Sequence, residues 1–405
     1  MSGYGLIGEK LAHSFSPQIH AMLGSYDYRL FELSAQELPD FMRTNTLQGF
    51  NVTIPYKQAV IPYLSGFSDT ARRTGSVNTV LRQPDGRLFG DNTDCCGFEK
   101  LLGDPTQLKG KKALVLGSGG VSKTVQAVLA NAGLAPVMTV SRSGADNYTN
   151  LDKHRDAALI VNATPLGMYP DIEASPLDLA RFDSLQLVLD LIYNPSRTRL
   201  LMDARIRGIT CRNGLMMLAA QALRASELFG LRQPGVDVTG TIVAELERRT
   251  LNIALIGMPG CGKTSVGKAL ACLTGRPFYD TDEMIRLEAG ESTADIISRQ
   301  GEAAFRTLET RVLARICKES GAIIATGGGV VMQDENRRLL NANSHIVLLE
   351  RPLDQLPTQG RPLSQGQGLK ALWQKRRPLY LDWSDRRYDH RSIQDTARAI
   401  REDLL

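Results

Sequence analysis

The sequence has few of the features that mark several classes of protein. It contains 405 residues, 6% of them aromatic, and its 48 basic and 43 acidic side chains leave a net charge of +5. The basic residues form no long run with interleaved aromatics, which argues against a nucleic-acid partner. The six cysteines have no C-x-x-C spacing, so neither a disulfide framework nor a structural zinc site is expected.

Long apolar runs are missing as well. No stretch reaches the roughly 18 apolar residues that a membrane-spanning helix needs. Residues 1–8 have neither the basic stretch nor the apolar core of a signal peptide. We therefore expect a cytoplasmic protein without a membrane partner, and its oligomeric state, monomer or homodimer, is left open by the sequence.

One strong phosphate-binding motif is present. Residues 257–264 read Gly-Met-Pro-Gly-Cys-Gly-Lys-Thr, the complete G-x-x-x-x-G-K-[ST] pattern, between an apolar strand at 251–256 and a predicted helix at 265–273. In such a P-loop the backbone N–H groups surround nucleotide phosphates, the lysine reaches the terminal phosphates and the Thr hydroxyl binds Mg²⁺. The predicted ATP contacts are Gly260, Cys261, Gly262, Lys263, Thr264 and Ser265.

The rest of the chain needs its own domains, because 405 residues exceed the usual size of a single core. Strands alternate with helical stretches between residues 112 and 190, which predicts an α/β fold with a parallel, doubly wound sheet. Two helices are expected at 214–230 and 240–248. The second leads almost directly into the P-loop strand, so the linker between the halves is short.

A second nucleotide-binding pattern lies in the doubly wound region. Residues 117–122 read Gly-Ser-Gly-Gly-Val-Ser after a strand and at the start of a helix, where backbone amides meet a pyrophosphate. The next strand is followed by Ser-Arg-Ser instead of an acidic residue, and a guanidinium beside hydroxyls suits a 2′-phosphate, so NADP(H) is favoured over NAD. The predicted contacts are Gly117, Ser118, Gly119, Gly120, Val121, Ser141, Arg142 and Ser143.

Further motifs in residues 1–248 occur in a family-specific order. They are His-Ser-Phe-Ser-Pro at 13–17, Asn-Val-Thr-Ile-Pro-Tyr-Lys at 51–57, Gly-Ser-Val-Asn-Thr at 75–79, Asp-Asn-Thr-Asp at 91–94, Asn-Ala-Thr-Pro-Leu-Gly-Met at 162–168 and Gly-Leu-Met-Met-Leu-Ala-Ala-Gln at 214–221. Together they resemble shikimate dehydrogenases over this whole length. The resemblance implies a two-lobed enzyme that reduces 3-dehydroshikimate with NADPH.

The resemblance also implies residue roles. Lys57 and Asp94 would be the catalytic pair, since a lysine steadied by a carboxylate can supply the proton that a forming alkoxide needs. Substrate contacts would be Ser14, Ser16, Thr53, Asn78, Tyr193 and Gln221. Gly214 and Met217 would be further cofactor contacts. Two departures from the family pattern are Cys95, where glycine commonly follows the aspartate, and the turn-rich stretch 143–155, where a helix is usual.

The residues after the P-loop resemble shikimate kinases. The matching stretches are Tyr-Asp-Thr-Asp at 279–282, Gly-Glu-Ala-Ala-Phe-Arg-Thr-Leu-Glu at 301–309, Thr-Gly-Gly-Gly-Val at 326–330, Gly-Arg-Pro-Leu at 360–363 and Arg-Arg-Pro-Leu-Tyr at 376–380. The resemblance implies phosphorylation of shikimate with MgATP.

The kinase resemblance assigns roles that the chemistry requires. Two arginines suit a carboxylate through charge-assisted, geometrically fixed hydrogen bonds. Arg306 and Arg376 would therefore bind the substrate carboxylate, and Gly328 would approach the ring. Asp282 would orient the attacking hydroxyl. Lys263 and Arg361 would act on the transferred phosphoryl group, and Mg²⁺ would lie at Thr264 and Asp280.

These motifs predict a bifunctional enzyme of the shikimate pathway, which leads through chorismate to the aromatic amino acids. Two alternatives stay open: a dehydrogenase that prefers quinate or NAD, and one half retained as a non-catalytic binding module. The expected domains are a substrate and catalytic domain at 1–98 that 213–248 complete, a Rossmann-like domain at 99–212 and a P-loop kinase domain at 250–405.

Overall fold

The computed structural model describes residues 3–11, 14–356, 368–389 and 391–405. The chain forms two compact units. The first unit contains the described residues up to Leu166 together with Ser175–Tyr193 and Leu200–Leu246, and the second unit contains Gly167–Ala174, Asn194–Arg199 and Glu247–Leu405. The whole of the predicted lid segment at 360–363, including Arg361, lies outside the described residues, and so does His13.

The first unit begins with a six-stranded mixed sheet in the order β2-β1-β3-β5-β6-β4. Its strands are β1 Tyr4–Gly8, β2 Tyr28–Glu32, β3 Gly49–Val52, β4 Gly66–Phe67, β5 Thr79–Arg82 and β6 Leu88–Asp91, and its helices are α1 Ser16–Leu23, α2 Leu38–Thr44 and α3 Asp69–Thr74. Strand β5 is antiparallel to both of its neighbours. The loop after β3 and the start of β5 therefore meet at one edge of the sheet.

A second sheet in the same unit is entirely parallel and has the order β11-β10-β9-β7-β8. Its strands are β7 Ala113–Leu116, β8 Val137–Val140, β9 Leu159–Asn162, β10 Leu187–Asp190 and β11 Thr210–Arg212, and the helices around it are α4 Asp94–Leu102, α5 Gly120–Asn131 and α6 Arg199–Ile206. All four residues of β7 are buried, as expected for an apolar run in a parallel sheet covered on both faces. The chain reverses its direction of winding at β7, where such sheets bind ligands.

Two helices follow, α7 Leu215–Leu228 in the first unit and α8 Thr239–Thr250, whose residues up to Leu246 belong to that unit. Helix α7 packs closely on α4 because Gly97 has no side chain: a Cβ atom there would lie 2.6 Å from Cγ of Gln221. Leu215, Ala219 and Leu223 of α7 share a core with α1 and α8. This packing carries one polar residue of α7, Gln221, to the start of α4.

The second unit has a five-stranded parallel sheet in the order β13-β14-β12-β15-β16. Its strands are β12 Asn252–Ile256, β13 Phe278–Asp280, β14 Ile323–Ala325, β15 Ser344–Glu350 and β16 Arg386–Asp389, and its helices are α9 Lys263–Thr274, α10 Thr281–Ala289, α11 Thr293–Ile316, α12 Asp334–Asn343, α13 Leu369–Trp383 and α14 Ile393–Leu404. Helix α11 is interrupted at Gly301, which has φ +86°. The P-loop joins the central strand β12 to α9.

This architecture confirms the predicted α/β fold class. The doubly wound sheet and the P-loop sheet both occur where strands and helices alternate in the sequence. Short 3₁₀ helices are found at Ile61–Tyr63, Thr106–Leu108, Leu151–His154, Leu179–Arg181, Val330–Met332 and Leu353–Gln355. Among the described helices, none combines the length and hydropathy needed to cross a bilayer.

A substitution at Gly214, which directly precedes α7, tests the close packing in the first unit. A Cβ atom there would overlap the backbone carbonyl of Leu191. We expect Gly214→Ala to lower the free energy of unfolding of the first unit by about 1–3 kcal/mol, measured by urea denaturation followed by circular dichroism. Gly240→Ala in α8 is the control, because its Cβ atom would meet no atom within 4 Å. Equal losses in both variants would contradict this packing.

Candidate active sites

A buried ion pair joins the loop after β3 to the start of α4. Nζ of Lys57 lies 2.7 Å from Oδ2 and 3.0 Å from Oδ1 of Asp94. The side chain of Asp94 is 2% exposed and that of Lys57 is 24% exposed. Asp94 is also the first residue of α4, where the helix macrodipole favours a negative charge. The carboxylate is thus fixed inside the protein while the ammonium group keeps access to a bound molecule.

Two further donors hold the Asp94 carboxylate in place, and one acceptor holds its backbone N–H. Nδ2 of Asn78 donates to Oδ1 of Asp94 at 3.0 Å, and Nε2 of Gln221 donates to the same oxygen at 2.7 Å. The backbone N–H of Asp94 donates to Oδ1 of Asn92 at 2.8 Å. Because every partner of the carboxylate is a donor, Asp94 is held as an acceptor. The structure therefore brings together four residues that the sequence assigned to the site.

Asn92 is not among the residues predicted from the sequence, although it lies inside the Asp-Asn-Thr-Asp motif. Oδ1 of Asn92 accepts from the Asp94 N–H, and its Nδ2 donates to the Ser76 carbonyl at 2.9 Å and to the Ser76 hydroxyl at 2.8 Å. Asn92 is 3% exposed. Asn92 fixes the start of α4 against the loop before β5. Its place inside the motif at 91–94 is the one feature of the sequence that could have identified it.

A second polar chain, also absent from the predicted set, lies behind Asn78. The hydroxyl of Tyr28 donates to Oδ1 of Asn51 at 2.8 Å, and Nδ2 of Asn51 donates to the Asn78 carbonyl at 3.3 Å. Burial raises the pKa of Tyr28 well above its usual value, so the phenol keeps its proton. The ring of His20 stacks on Tyr28 at 3.8 Å, and burial lowers the pKa of His20 to about 3. This chain of neutral groups orients the backbone that carries Asn78.

The other predicted substrate contacts form a separate group. The hydroxyl of Ser14 donates to the Ser16 hydroxyl at 3.2 Å, and the ring of Tyr193 packs against Phe15 with ring centroids 5.4 Å apart. The backbone N–H of Thr53, just after β3, donates to the carbonyl of Ile7 at 3.0 Å. Within the described part of the chain, no hydrogen bond joins the Ser14–Ser16 pair to the Lys57–Asp94 pair.

The predicted dinucleotide site has the geometry of an anion-binding turn. Gly117 follows β7 with φ +102°, a conformation that favours glycine, and a Cβ atom there would lie 3.0 Å from the Ala163 carbonyl. Cβ atoms at Gly119 and Gly120 would meet no described atom within 4 Å. The N–H groups and positive dipole end of α5 therefore face open space, and a helix end of this kind favours anions. Ser118 and Val121 lie in the same turn.

The other predicted cofactor contacts differ in how exposed they are to solvent. Ser141, Arg142 and Ser143 follow β8, which is the parallel neighbour of β7, so they lie at the same edge of the sheet. Arg142 is exposed, in a turn where the N–H of Ser141 donates to the Asp146 carbonyl at 3.0 Å. Met217 is only 6% exposed and belongs to the core between α4 and α5. Arg142 is thus available to an anion, whereas Met217 offers little surface.

The P-loop of the second unit has three glycines with positive φ: Gly257, Gly260 and Gly262. Nζ of Lys263 donates to the carbonyls of Gly257 and Met258 at 2.9 Å each and lies 3.9 Å from Sγ of Cys261. The lysine, which is buried, is therefore held against the loop itself. Ser265 continues α9, whose N-terminal N–H groups follow the loop and fit phosphate oxygens.

The predicted metal residues lie together beside the P-loop. The hydroxyl of Thr264 donates to Oδ2 of Asp280 at 2.6 Å. The other carboxylate oxygen, Oδ1, accepts the backbone N–H groups of Asp282 and Glu283 and so caps α10. Two such oxygen groups fit Mg²⁺, which usually takes one or two protein ligands and completes its shell with phosphates and water. Among the described residues, no group of three or more His, Cys, Asp or Glu side chains forms a ready metal site.

A buried charge pair on α11 faces the glycine-rich loop after β14. NH1 of Arg306 lies 2.7 Å from Oε2 of Glu309, and NH2 lies 2.9 Å from Oε1 of Glu302. Burial alone would lower the pKa of Arg306, but the two carboxylates outweigh it and raise that pKa. Burial raises the pKa of Glu309, opposed by Arg306. Arg306 consequently stays charged inside the protein.

Several buried polar atoms around this pair have no hydrogen-bond partner among the described residues: Nε of Arg306, Oε1 of Glu309 and Nε of Arg376. A buried polar atom without a partner costs about 1–3 kcal/mol. Two arginines with donors to spare fit a bound carboxylate, which accepts such donors.

The loop Gly327–Gly329 is packed too tightly for side chains. A Cβ atom at Gly328 would lie 2.6 Å from the ring of Pro259 in the P-loop, and one at Gly329 would overlap the Arg306 guanidinium. The Gly328 carbonyl accepts from NH1 of Arg376 at 3.1 Å and from the hydroxyl of Tyr380. These contacts fix the loop between both arginines and the P-loop.

Three residues of this site were not assigned roles from the sequence. They are Thr281, whose Oγ1 accepts the Gly327 N–H at 2.9 Å, together with Glu309 and Tyr380. Asp282, in the first turn of α10, lies near the same loop, since a Cβ atom at Gly327 would be 3.1 Å from its Oδ1. Glu309 and Tyr380 were visible in the quoted motifs, but their burial was not.

Comparison with known proteins matches both units. The family described as "Shikimate dehydrogenase substrate binding domain" matches residues 6–80, and the family "Shikimate kinase" matches residues 259–404. A "Shikimate dehydrogenase (NADP(+))" of Clostridium beijerinckii is 36% identical over 251 residues, which cover 56% of this chain and 92% of the relative.

Solved structures give the same result for the N-terminal part. Shikimate dehydrogenase 1 from Peptoclostridium difficile is 33% identical with a TM-score of 0.56, over 61% of this chain and 98% of that one. A shikimate 5-dehydrogenase from Thermus thermophilus, solved in complex with NADP(H) and shikimate, is 35% identical with a TM-score of 0.52, over 60% and 97%.

The fold and the two sites define a nucleotide-dependent oxidoreductase followed by a P-loop phosphotransferase. The chain belongs to the shikimate dehydrogenase family, and its C-terminal part is a shikimate kinase domain. The family resemblances predicted from the sequence are confirmed for both halves.

Glu309 and Glu302 offer a matched test of the buried pair. Both bind Arg306, but Glu309 is fully buried and the side chain of Glu302 is 45% exposed. We expect Glu309→Gln to lower the free energy of unfolding of the second unit by about 3–5 kcal/mol, because it removes the buried carboxylate beside Arg306 and leaves only the half-exposed Glu302 as its ionic partner. Glu302→Gln should cost less than about 1 kcal/mol. Urea denaturation measures both, and a larger loss for Glu302→Gln would contradict the assignment.

Proposed function

We propose that this protein is a bifunctional enzyme that reduces 3-dehydroshikimate to shikimate with NADPH and then phosphorylates shikimate with MgATP to shikimate 3-phosphate. The observation that carries the proposal is the presence of two separate polar sites in one chain. One is the Lys57–Asp94 pair with its fixed amides. The other is a P-loop beside two buried arginines.

In the proposed reductase site, Lys57 is the proton donor. Bound NADPH supplies the hydride to the ring ketone, and the developing alkoxide needs one proton. Nζ of Lys57 carries that proton, and its partial exposure allows the group to reach a substrate oxygen. Asp94 holds the ammonium group in position, while the amides of Asn78 and Gln221 fix Asp94. Ser14, Ser16, Thr53 and Tyr193 are proposed to bind the remaining substrate groups.

In the proposed kinase site, the protein positions both partners of a phosphoryl transfer. MgATP supplies the phosphoryl group, and catalysis of such transfers consists mostly of positioning and charge stabilisation. The P-loop amides and Lys263 bind the phosphates, with Mg²⁺ at Thr264 and Asp280. Arg306 and Arg376 bind the shikimate carboxylate, and Asp282 orients the attacking hydroxyl. Arg361 is proposed to act on the transferred group.

The proposal extends to cofactor choice and setting. Arg142, exposed beside Ser141 and Ser143, supports NADP(H) over NAD because a guanidinium pairs with a 2′-phosphate. A cytoplasmic location and either a monomer or a homodimer are proposed on the sequence grounds given above. There are two competing assignments. In one, the dehydrogenase prefers quinate or NAD; in the other, one half of the chain is a non-catalytic binding module.

Two lysine variants test the two-site assignment. We expect Lys57→Met to lower kcat for 3-dehydroshikimate reduction by about 10²–10⁴-fold because it removes the proton donor, and to leave shikimate phosphorylation unchanged. Lys263→Met should lower phosphorylation by about 10²–10³-fold and leave reduction unchanged. NADPH oxidation and ADP release measure the two activities. Loss of both activities in one folded variant would refute separate sites, and faster turnover of quinate with NAD would favour the alternative dehydrogenase.

Arg142→Gln tests the cofactor assignment. A lost charge-assisted hydrogen bond costs about 1.5–3 kcal/mol, so KM for NADPH should rise by about 10- to 100-fold while KM for NADH stays constant. Arg155→Gln is the control, because Arg155 forms an exposed ion pair with Asp183 elsewhere in the first unit. Equal effects of Arg142→Gln on both cofactors would show that Arg142 does not recognise the 2′-phosphate.

A further inference from the structure

The C-terminal ends of α11 and α12 in the second unit need partners from elsewhere in the chain. The last carbonyls of any helix find no N–H donor within the helix, and donors or cations beyond its end stabilise it. The last turn of α12 contains no basic residue, and the hydroxyl of Ser344, which follows the helix, has no hydrogen-bond partner among the described residues. Those carbonyls must therefore be satisfied by other segments.

Arg197 supplies these donors to α12. Its backbone N–H donates to the Ala342 carbonyl at 2.9 Å, and NH1 of its side chain donates to the carbonyls of Asn341 and Ser344 at 3.0 Å each. Arg197 thus places a positive charge and three hydrogen bonds at the negative end of the helix dipole. It belongs to the segment Asn194–Arg199, which lies in the second unit although it precedes the P-loop strand by about fifty residues in the sequence.

The segment Gly167–Ala174 acts in the same way at α11. The hydroxyl of Tyr169 donates to the carbonyl of Cys317, the residue that directly follows α11, at 2.8 Å. Ile172 is 6% exposed and belongs to the hydrophobic core of the second unit. Glu173 pairs with Nε of Arg338 on α12 at 2.5 Å. Apolar burial and polar contacts therefore hold this segment in place together.

Helix α11 carries part of the proposed kinase site, and α12 is joined to α11 and to the glycine-rich loop. Arg306 and Glu309 lie on α11, and the neighbouring Thr310 donates to Oδ1 of Asn336 on α12 at 2.8 Å. Nδ2 of Asn336 donates in turn to the carbonyl of Val330, at the end of the glycine-rich loop, at 3.1 Å. Both helices are thus joined to each other and to the loop that Arg376 contacts.

We propose that residues 167–174 and 194–199 are structural parts of the kinase, with Tyr169 and Arg197 as the residues that cap α11 and α12. The phosphotransferase is then not a self-contained module that starts at residue 250. Its stability depends on two segments that lie, in sequence, between the strands of the dinucleotide-binding sheet. The activity measurements below rest on the proposed function, whereas hydrogen exchange does not.

The test uses the full chain with Arg197→Gln and Tyr169→Phe. We expect the temperature at which kinase activity is half lost to fall by roughly 5 °C for Arg197→Gln, with the reductase midpoint unchanged. Amide hydrogen exchange in the last turn of α12 should become at least about tenfold faster, because that turn loses the guanidinium that donates to the Asn341 carbonyl. Tyr169→Phe, a milder change, should speed exchange at the end of α11 alone.

Matched variants distinguish this role from a general loss of stability. Arg197→Lys keeps the charge but not the two side-chain bonds and should lie between wild type and Arg197→Gln. Tyr388→Phe removes an exposed hydroxyl contact with Asp403 in the same unit and should change neither midpoint. Unchanged exchange at the ends of α11 and α12 would overturn the proposal, and so would equal shifts of the two midpoints. If hydrogen exchange became faster but the purified chain showed no shikimate phosphorylation, the result would instead count against the proposed function.

Discussion

Both candidate sites depend on the burial of a charged group beside an opposite charge. Taking an ion out of water costs several kcal/mol, and only a close partner and well-placed hydrogen bonds offset that cost. In the first unit, Asp94 receives donors from Lys57, Asn78 and Gln221. In the second unit, Arg306 lies between two carboxylates on its own helix. Each pair is tightly packed because a donor or carboxylate that moved away would leave the buried charge without a partner.

The two charged pairs differ in how far protein groups satisfy their hydrogen bonds, and this difference matches the chemistry proposed for each site. Every described partner of the Asp94 carboxylate is a donor, and Lys57 is the member of the pair that keeps solvent access. A group that must give up a proton needs such access. Around Arg306 and Arg376, in contrast, donor atoms are buried and still lack a partner among the described residues. A site with buried donors that lack a protein partner is suited to holding an anion, because a carboxylate accepts hydrogen bonds from such donors.

Local patterns in the sequence were sufficient for the nucleotide-binding turns, because a strand, a glycine turn and a helix follow one another within about 25 residues. The Lys57–Asp94 pair came from the family resemblance. Asn51, Asn92 and Tyr380 were not predicted, because their roles come from partners 16 to 52 residues away, which no local pattern specifies. Glu309 was visible three residues after Arg306, but that spacing also describes an exposed helical ion pair of little energetic value. Only its burial separates the two interpretations.

The placement of residues 167–174 and 194–199 follows from the same rule that buried polar groups need partners. The carbonyls at the end of α12 have no cation in their own last turn, and Arg197 reaches them from 144 and 147 residues earlier in the chain. Such a donor would bind weakly from a separate molecule, but covalent linkage gives it a high effective concentration. A fused chain can therefore use one part of its sequence to cap helices of another at little entropic cost. Once it does so, the order of domains along the sequence no longer defines which residues each enzyme needs.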